Sequence, residues 1–324
     1  MDGTRPVDVV FGAGQIGVPL ARRLIARGRA VRMVTRSGTD PGLPGVTAVR
    51  ADATDPGAAA EAARGAAVLY HCMNPPYSAR VWADVLPRLQ ASLLEAAARA
   101  GARLVVLDNL YPLGRTGGRP MSEATPYQPT SRKGEIRARV SRAWHEAHRA
   151  GRARVVIGRA SDFYGPRGAS TYFGPMFWRR VLAGKPGPML FDPAVPHAYH
   201  FVEDVAEGLA ALGAAPDDAF GGWWMLPVHP AEPTVALVDR LAAELGRPIR
   251  LSRVPPLLLA AASLVVPLVR ELREMGYQWE EPFLCDDSAF RARFGTAPLP
   301  RQEAARQTVA WALAEYGGTA RRAA

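Results

Sequence analysis

Val7-Asp8-Val9-Val10-Phe11-Gly12-Ala13-Gly14-Gln15-Ile16-Gly17 is the stretch whose reading decides the fold. A short β-branched run ends at Phe11, three glycines follow in G-x-G-x-x-G spacing, and residues 18–26 carry helical apolar spacing through Leu20, Ala21, Leu24 and Ile25. Strand, glycine turn and helix together suit a pyrophosphate. The glycines let backbone approach the phosphates, and the helix start offers unpaired N–H groups and a positive dipole end. Gly12, Gly14, Gln15, Ile16 and Gly17 therefore read as a dinucleotide-binding surface. A plain tight turn would use the same letters, but the position near the N-terminus and the flanking strand and helix favour a ligand.

Working outward, residues 30–35 form a second strand that ends in Arg36 and Ser37, and no Asp or Glu appears until Asp40. An acid at this point would accept from a ribose 2′-hydroxyl; a guanidinium beside hydroxyls suits a 2′-phosphate instead. The expected cofactor is thus NADP, with Arg36 and Ser37 among its contacts. A third strand over 46–50 precedes Ala51-Asp52-Ala53-Thr54-Asp55. Asp52 is a candidate for the adenine edge, with an Asx-turn or helix cap at Asp52 or Asp55 as the plainer alternative. A fourth apolar strand over 66–72 runs into Met73-Asn74-Pro75-Pro76, which places Asn74 beside the cofactor, because ligands of such sheets lie beyond the strands' carboxyl ends. Alternating strands and helices predict an α/β fold, a doubly wound parallel sheet with a smaller C-terminal substrate lobe.

The 324 residues carry a net charge of +10. The arginines are scattered, no zinc-ligand cysteine pairs appear, and Arg321-Arg322 is only a short tail, so nucleic acid is not the expected partner. The apolar run over 257–269 is short, alanine-rich and broken by Pro267, which predicts a buried helix rather than a membrane span. Two cysteines, Cys72 and Cys285, give no disulfide framework and suit a cytoplasmic setting. A small-molecule substrate is the expected partner, and a homodimer is compatible with the pattern.

Farther along, residues 103–107 form a strand ending in Asp108-Asn109-Leu110-Tyr111, and the loop Gly114-Arg115-Thr116-Gly117-Gly118 follows. Residues 153–166 close on Arg159-Ala160-Ser161-Asp162-Phe163-Tyr164-Gly165-Pro166, and His200-Phe201-Val202-Glu203-Asp204-Val205-Ala206 comes later. In this order the segments resemble the extended short-chain dehydrogenase/reductases of the epimerase/dehydratase kind. Phe294-Gly295 followed by Pro298, Pro300 and a terminal amphipathic helix is similar to that family too. The resemblance implies a Rossmann domain over 1–166 and 199–228, and a substrate lobe over 167–198 and 229–324. In that lobe, Phe173, Met176, Phe177, Met189 and Phe191 read as an apolar substrate wall or as an ordinary small core, and Trp178 is the tryptophan expected nearest a ligand.

One departure stands out. The chain has only two lysines, Lys133 and Lys185, and the residues four positions before them are Pro129 and Val181, so no Tyr-x-x-x-Lys exists in it. The family's P-x-x-x-Y-G-x-x-K meets Pro129-Thr130-Ser131-Arg132-Lys133-Gly134-Glu135-Ile136-Arg137: tyrosine has become Lys133 and lysine has become Arg137. The family's serine or threonine falls on Asp108 or Asn109. By the resemblance, Arg137 holds the nicotinamide ribose and Lys133 is the candidate proton donor, its pKa expected to be lowered by burial and by Arg137 one turn away. The alternative is a lysine that merely pairs with Glu135 or with cofactor phosphates. Asn109 is a candidate oxyanion donor, Tyr111 a reserve phenol or a packing residue, and Tyr164 a lining of the nicotinamide pocket. Asp204 is expected to anchor its helix through backbone hydrogen bonds. His145 and His148 read as a solvated helix face without a metal, and His197 and His200 as a less favoured substrate-facing pair.

Together these residues predict an NADP-dependent oxidoreductase acting on a small carbonyl or alcohol. A non-redox cyclase or isomerase that keeps NADP as a structural group is the alternative, and an NADP-sensing regulatory protein is the third reading.

Overall fold

The computed structural model describes residues 6–168 and 171–320, so Arg321-Arg322 lie outside the described residues. The strands are β1 (Val7–Phe11), β2 (Ala30–Thr35), β3 (Val46–Arg50), β4 (Ala66–His71), β5 (Arg103–Asn109) and β6 (Arg154–Ala160), followed by β7 (Asp162–Tyr164), β8 (Gly187–Met189), β9 (Pro196–His197), β10 (Tyr199–Phe201), β11 (Trp223–Met225), β12 (Glu232–Pro233) and β13 (Leu251–Arg253). The main sheet has seven strands in the order β11-β6-β5-β4-β1-β2-β3, all parallel. The order reverses between β1 and β4, and that switch point opens the crevice in which such sheets hold ligands.

The helices are α1 (Gly17–Ala26), α2 (Pro56–Ala62), α3 (Ala79–Ala100), α4 (Arg132–Arg149), α5 (Pro175–Leu182), α6 (Val202–Ala214), α7 (Thr234–Leu245), α8 (Pro256–Val265), α9 (Pro267–Glu274), α10 (Ser288–Phe294) and α11 (Arg301–Ala320). Side chains alternate across each strand. Val9 and Phe11 of β1, Leu69 of β4 and Leu104 and Val106 of β5 enter a core with Trp82, Leu86 and Leu93 of α3 and Val140 and Trp144 of α4. Val10, Tyr70 and Val105 point the other way, onto Leu20 and Leu24 of α1 and Val205 and Leu209 of α6. Every central strand is thus buried on both faces, which is why each reads as a continuous apolar run.

The C-terminal lobe corrects two expectations. Phe173, Phe177 and Met189 are core, with Phe173 edge-on to Phe177 at 5.1 Å, whereas Met176 is exposed. Trp178 is fully buried, edge-on to Phe177 at 5.4 Å. The run over 257–269 folds as the helical pair α8–α9, but it lies on the surface: Leu257 is 84% and Val265 78% exposed. Alanine richness and Pro267 marked helices and their break, while periodicity over so uniformly apolar a run could not say which face meets the core. On α4, His145 is tied down rather than solvated: its ring bonds Tyr127 Oη at 2.9 Å and Gly221 O at 3.0 Å.

Candidate active site

The glycine turn sits at the carboxyl end of β1. Gly12 has φ +108, which an L side chain rarely adopts, and a Cβ on Gly17 would stand 1.9 Å from the Gly12 carbonyl oxygen. Both glycines are therefore demanded by the turn itself. Gly14 is different. Its φ is ordinary and a Cβ there would meet nothing within 4 Å, so nothing inside the protein explains the missing side chain. No side chain caps α1, whose N-cap is Ile16, and Gln15 Oε1 is buried without a hydrogen-bond partner. An uncapped helix start beside an open glycine is a cradle that a pyrophosphate fits.

Arg36 and Ser37 lie exposed just past β2, where Thr35 Oγ1 accepts from Gly38 N at 2.9 Å and Ser37 Oγ from Thr39 N at 3.3 Å. Asp52 makes the Asx-turn, its Oδ1 accepting from Thr54 N at 2.9 Å and Thr54 Oγ1 at 2.8 Å. Those bonds, with a smaller contribution from the Arg36 charge, hold its carboxyl below the usual range. Asp55 caps α2 through Gly57 N and Ala58 N. The plainer alternatives at Asp52 and Asp55 are what the local structure shows.

At the other end of the crevice, Lys133, Arg137 and Ser141 fall at i, i+4 and i+8 of α4 and form one buried stripe. Ser131 caps this helix by accepting from Gly134 N at 3.0 Å, and a Cβ on Gly134 would stand 2.6 Å from Tyr111 O. Gly134 therefore has no room for a side chain where α4 packs against the loop after β5. Asp108, at the end of β5, accepts from Arg137 Nη1 at 3.0 Å, from Ser141 Oγ at 3.0 Å and from Arg159 Nη1 at 3.2 Å. Arg159 also reaches Tyr127 Oη at 2.7 Å, and Arg137 Nη2 donates to Asn74 Oδ1 at 2.6 Å. Two buried guanidiniums thus share one carboxylate. Aromatic faces meet the remaining charge, with Arg137 4.4 Å from the Trp82 ring centre and Arg159 5.3 Å from that of Trp223. Burial, reinforced by the Arg137 charge, pushes the neighbouring His71 down to about 4, so its imidazole is neutral at pH 7.

Lys133 is fully buried. Its ammonium pairs with Glu271, bonds Glu274 Oε2 at 2.5 Å and lies 5.0 Å from the Tyr77 ring centre. Glu274 also accepts from Lys133 N at 3.1 Å, and Glu271 from Ala79 N at 3.1 Å. Helix α9 therefore closes over the starts of α3 and α4. The lysine's partners are these two carboxylates rather than Glu135, and Arg137 turns away from it toward Asp108.

Asn109 Oδ1 accepts from Tyr111 N at 3.1 Å, which fixes the orientation of its amide. Tyr111 stacks on Trp82 and shares a hydroxyl contact of 3.1 Å with Tyr77; burial raises both phenols well above their ordinary value. Tyr164 packs on Phe201 and borders a cleft of about 20 Å³ with His197, Tyr199, His229 and Arg301, room for about one water. His197 and His200 are buried in the protein: His197 Nε2 bonds Asp162 Oδ2 at 2.9 Å, and His200 Nδ1 meets Ser161 Oγ at 2.8 Å. Asp204 accepts from Leu299 N at 3.0 Å. Among the described residues, no group of three or more His, Cys, Asp or Glu is placed to hold a metal.

Sequence reasoning missed Glu271, Glu274, Tyr77, Tyr127 and Ser141. The stripe on α4 carried a signal for Ser141, at two i, i+4 steps from Lys133. Glu271 and Glu274 carried none, being 138 and 141 positions away in the chain.

This arrangement defines a Rossmann-like α/β fold built on a parallel seven-stranded sheet. The chain belongs to the NAD dependent epimerase/dehydratase family, whose family model matches residues 9–222. Among solved structures it is similar to a UDP-glucuronic acid 4-epimerase from Bacillus cereus in complex with NAD, at 16% identity and a TM-score of 0.77, covering 96% of this chain and 98% of that one. A dTDP-glucose 4,6-dehydratase from Streptomyces venezuelae with NAD and TYD bound gives 20% identity and a TM-score of 0.77, with 96% and 98% covered. The Bordetella bronchiseptica enzyme WbmH in complex with NAD+ gives 18% and 0.71, with 97% and 100% covered. No curated protein matches the chain.

Proposed function

We propose that the protein is an NADP-dependent oxidoreductase of this family that acts on a small carbonyl or alcohol, with Lys133 and Arg137 standing where the family has tyrosine and lysine. The observation that carries the reading is the space beside Gly14 at the uncapped start of α1, a gap that serves no packing need of the protein. Gly12, Gly14, Gln15, Ile16 and Gly17 would hold the pyrophosphate, Arg36 with Ser37 the 2′-phosphate, and Asn74 with Arg137 would border the nicotinamide side. Asp52 would lie at the adenine edge. A bound nicotinamide supplies or accepts the hydride. Lys133 Nζ would hold the proton destined for the substrate oxygen, with Glu271 and Glu274 as its ion-pair partners. Asn109 would donate its amide N–H to the same oxygen, with Tyr111 as the reserve phenol and Tyr164 as a lining of the nicotinamide pocket. The Rossmann part over 1–166 and 199–228 carries the cofactor, and 167–198 with 229–324 the substrate. Two free thiols, Cys72 and Cys285, suit the reducing cytoplasm.

One observation favours a second reading. Both positions of the family's dyad are engaged inside the protein, Lys133 by two glutamates and Arg137 by Asp108. A non-redox cyclase or isomerase with a structural dinucleotide needs neither group free.

Fluorescence titration with NADPH and NADH, followed by single-turnover hydride transfer to ketones, aldehydes and sugar nucleotides, separates the two. Tighter NADPH binding with oxidation by at least one carbonyl is the expected result. Binding without hydride transfer to any acceptor leaves the second reading, and failure to bind either dinucleotide removes both.

A further inference from the structure

Six of the nine large hydrophobic residues exposed among the described residues fall within 257–268: Leu257, Leu258, Leu264, Val265, Val266 and Leu268. They belong to α8, α9 and the Val266 link between them, and the two helices pack on each other as a hairpin. The hairpin is a built unit. Arg270 Nε donates to Ser263 O at 3.2 Å, Arg273 Nη1 donates to Ser263 Oγ at 3.1 Å, and Glu271 and Glu274 root it on Lys133. Its charges are sorted by side. Between Val254 and Val269 no residue is ionisable; in α9 the two carboxylates turn inward, while Arg270 and Arg273 stay exposed. The outer face therefore presents only apolar and cationic groups.

An apolar patch of this kind on a surface marks an interaction site. We propose that the α8–α9 hairpin docks on an anionic lipid surface, its leucines and valines entering the headgroup boundary and its arginines meeting lipid phosphates. Charge decides the occupant. A second copy would bring Arg270 and Arg273 toward their own counterparts on a chain of net charge +10, whereas anionic headgroups complement them. Apolar helices edged by arginine lie in the interface rather than across the bilayer, and no helix among the described residues is long and apolar enough to cross one.

The test is flotation of the full chain with vesicles of phosphatidylcholine alone and of phosphatidylcholine with phosphatidylglycerol. The parent is expected to float with the anionic vesicles, more weakly with the neutral ones and more weakly at raised salt. The variant Leu257→Ser/Leu264→Ser/Val265→Ser should lose affinity by about a hundredfold or more, with melting temperature unchanged because these side chains touch solvent. Leu257→Ser alone should carry a part of that loss, which keeps the test decisive if the triple variant misfolds. A parent that stays out of the vesicle fraction overturns the proposal. So does a triple variant that floats like the parent, or a dimer of the parent that the triple variant abolishes without any vesicle binding.

Discussion

Arg137 Nη1 donates to Asp108 Oδ1 at 3.0 Å, and this buried bond ties α4 to the end of β5. The guanidinium one turn beyond Lys133 shares the carboxylate at the end of β5 with Arg159 of β6. Removing the shared carboxylate strands two buried cations. Asp108→Asn is expected to destabilise the fold by roughly 3–5 kcal/mol, the usual consequence of leaving a buried charge unpaired. Chemical denaturation would measure it, and a loss below about 1 kcal/mol would mean that Ser141, Asn74 and the aromatic faces hold the guanidiniums unaided.

The three glycines of the turn should behave differently when given side chains. Gly14→Val is expected to abolish dinucleotide binding at an unchanged melting temperature, since its Cβ meets nothing in the protein. Gly17→Ala should lower the melting temperature itself, because its Cβ would collide with Gly12 O at 1.9 Å. Calorimetric titration beside thermal melting reads both. Full binding by Gly14→Val would reduce the motif to a turn.

The contrast between these sites shows what the sequence could convey. Local rules reached the strand-turn-helix at Val7–Ala26 and all six leading strands, because a central strand buried on both faces writes itself as an apolar run, the edge strand β3 keeps its β-branched residues, and a crossover helix shows a 3.6-residue period. Lys133, Gly134 and Arg137 came from the family resemblance rather than from any local rule. Local rules could not reach Glu271 or Glu274, whose pairing with Lys133 is a contact between helices more than a hundred residues apart. Nor could they orient α8, where nearly every residue is apolar and no face stands out.

Cofactor choice should rest on Arg36. With Asp40 the nearest acid after β2, the parent is expected to prefer NADPH, and Arg36→Asp should narrow or reverse the preference. Fluorescence titration of both dinucleotides decides it. Equal affinities in the parent, unmoved by the substitution, would sink the NADP assignment.

Asp204 gives the fold a pH dependence. Burial raises its carboxyl to about 7, above the unfolded value of 3.8, although the bond from Leu299 N opposes the shift. The folded state therefore holds the proton more tightly. Its contribution to stability is full below about pH 4 and is lost as pH rises through about 7, at a cost on the order of a few kcal/mol. Asp204→Asn keeps an acceptor for Leu299 N and should stabilise the protein more at pH 8 than at pH 5. Melting curves at the two pH values test this, and an equal effect at both would show that Asp204 is ionised throughout.

Lys133 presents the hardest separation, because it is both a buried ion-pair partner and the candidate proton donor. Lys133→Met leaves Glu271 and Glu274 facing each other and should destabilise the α9 contact by roughly 3 kcal/mol or less, their carboxylates being partly solvated. If Lys133 also delivers the proton, turnover on the best acceptor should fall by about two to four powers of ten while NADPH affinity holds. Lys133→Arg distinguishes the two roles. A guanidinium can restore the ion pairs, and with them much of the melting temperature, but it does not give up its proton. Recovered stability without recovered turnover is the expected outcome. Turnover that returns together with stability would make Lys133 a strut for α9, and the proton source would then have to be sought at Tyr111 or Tyr164.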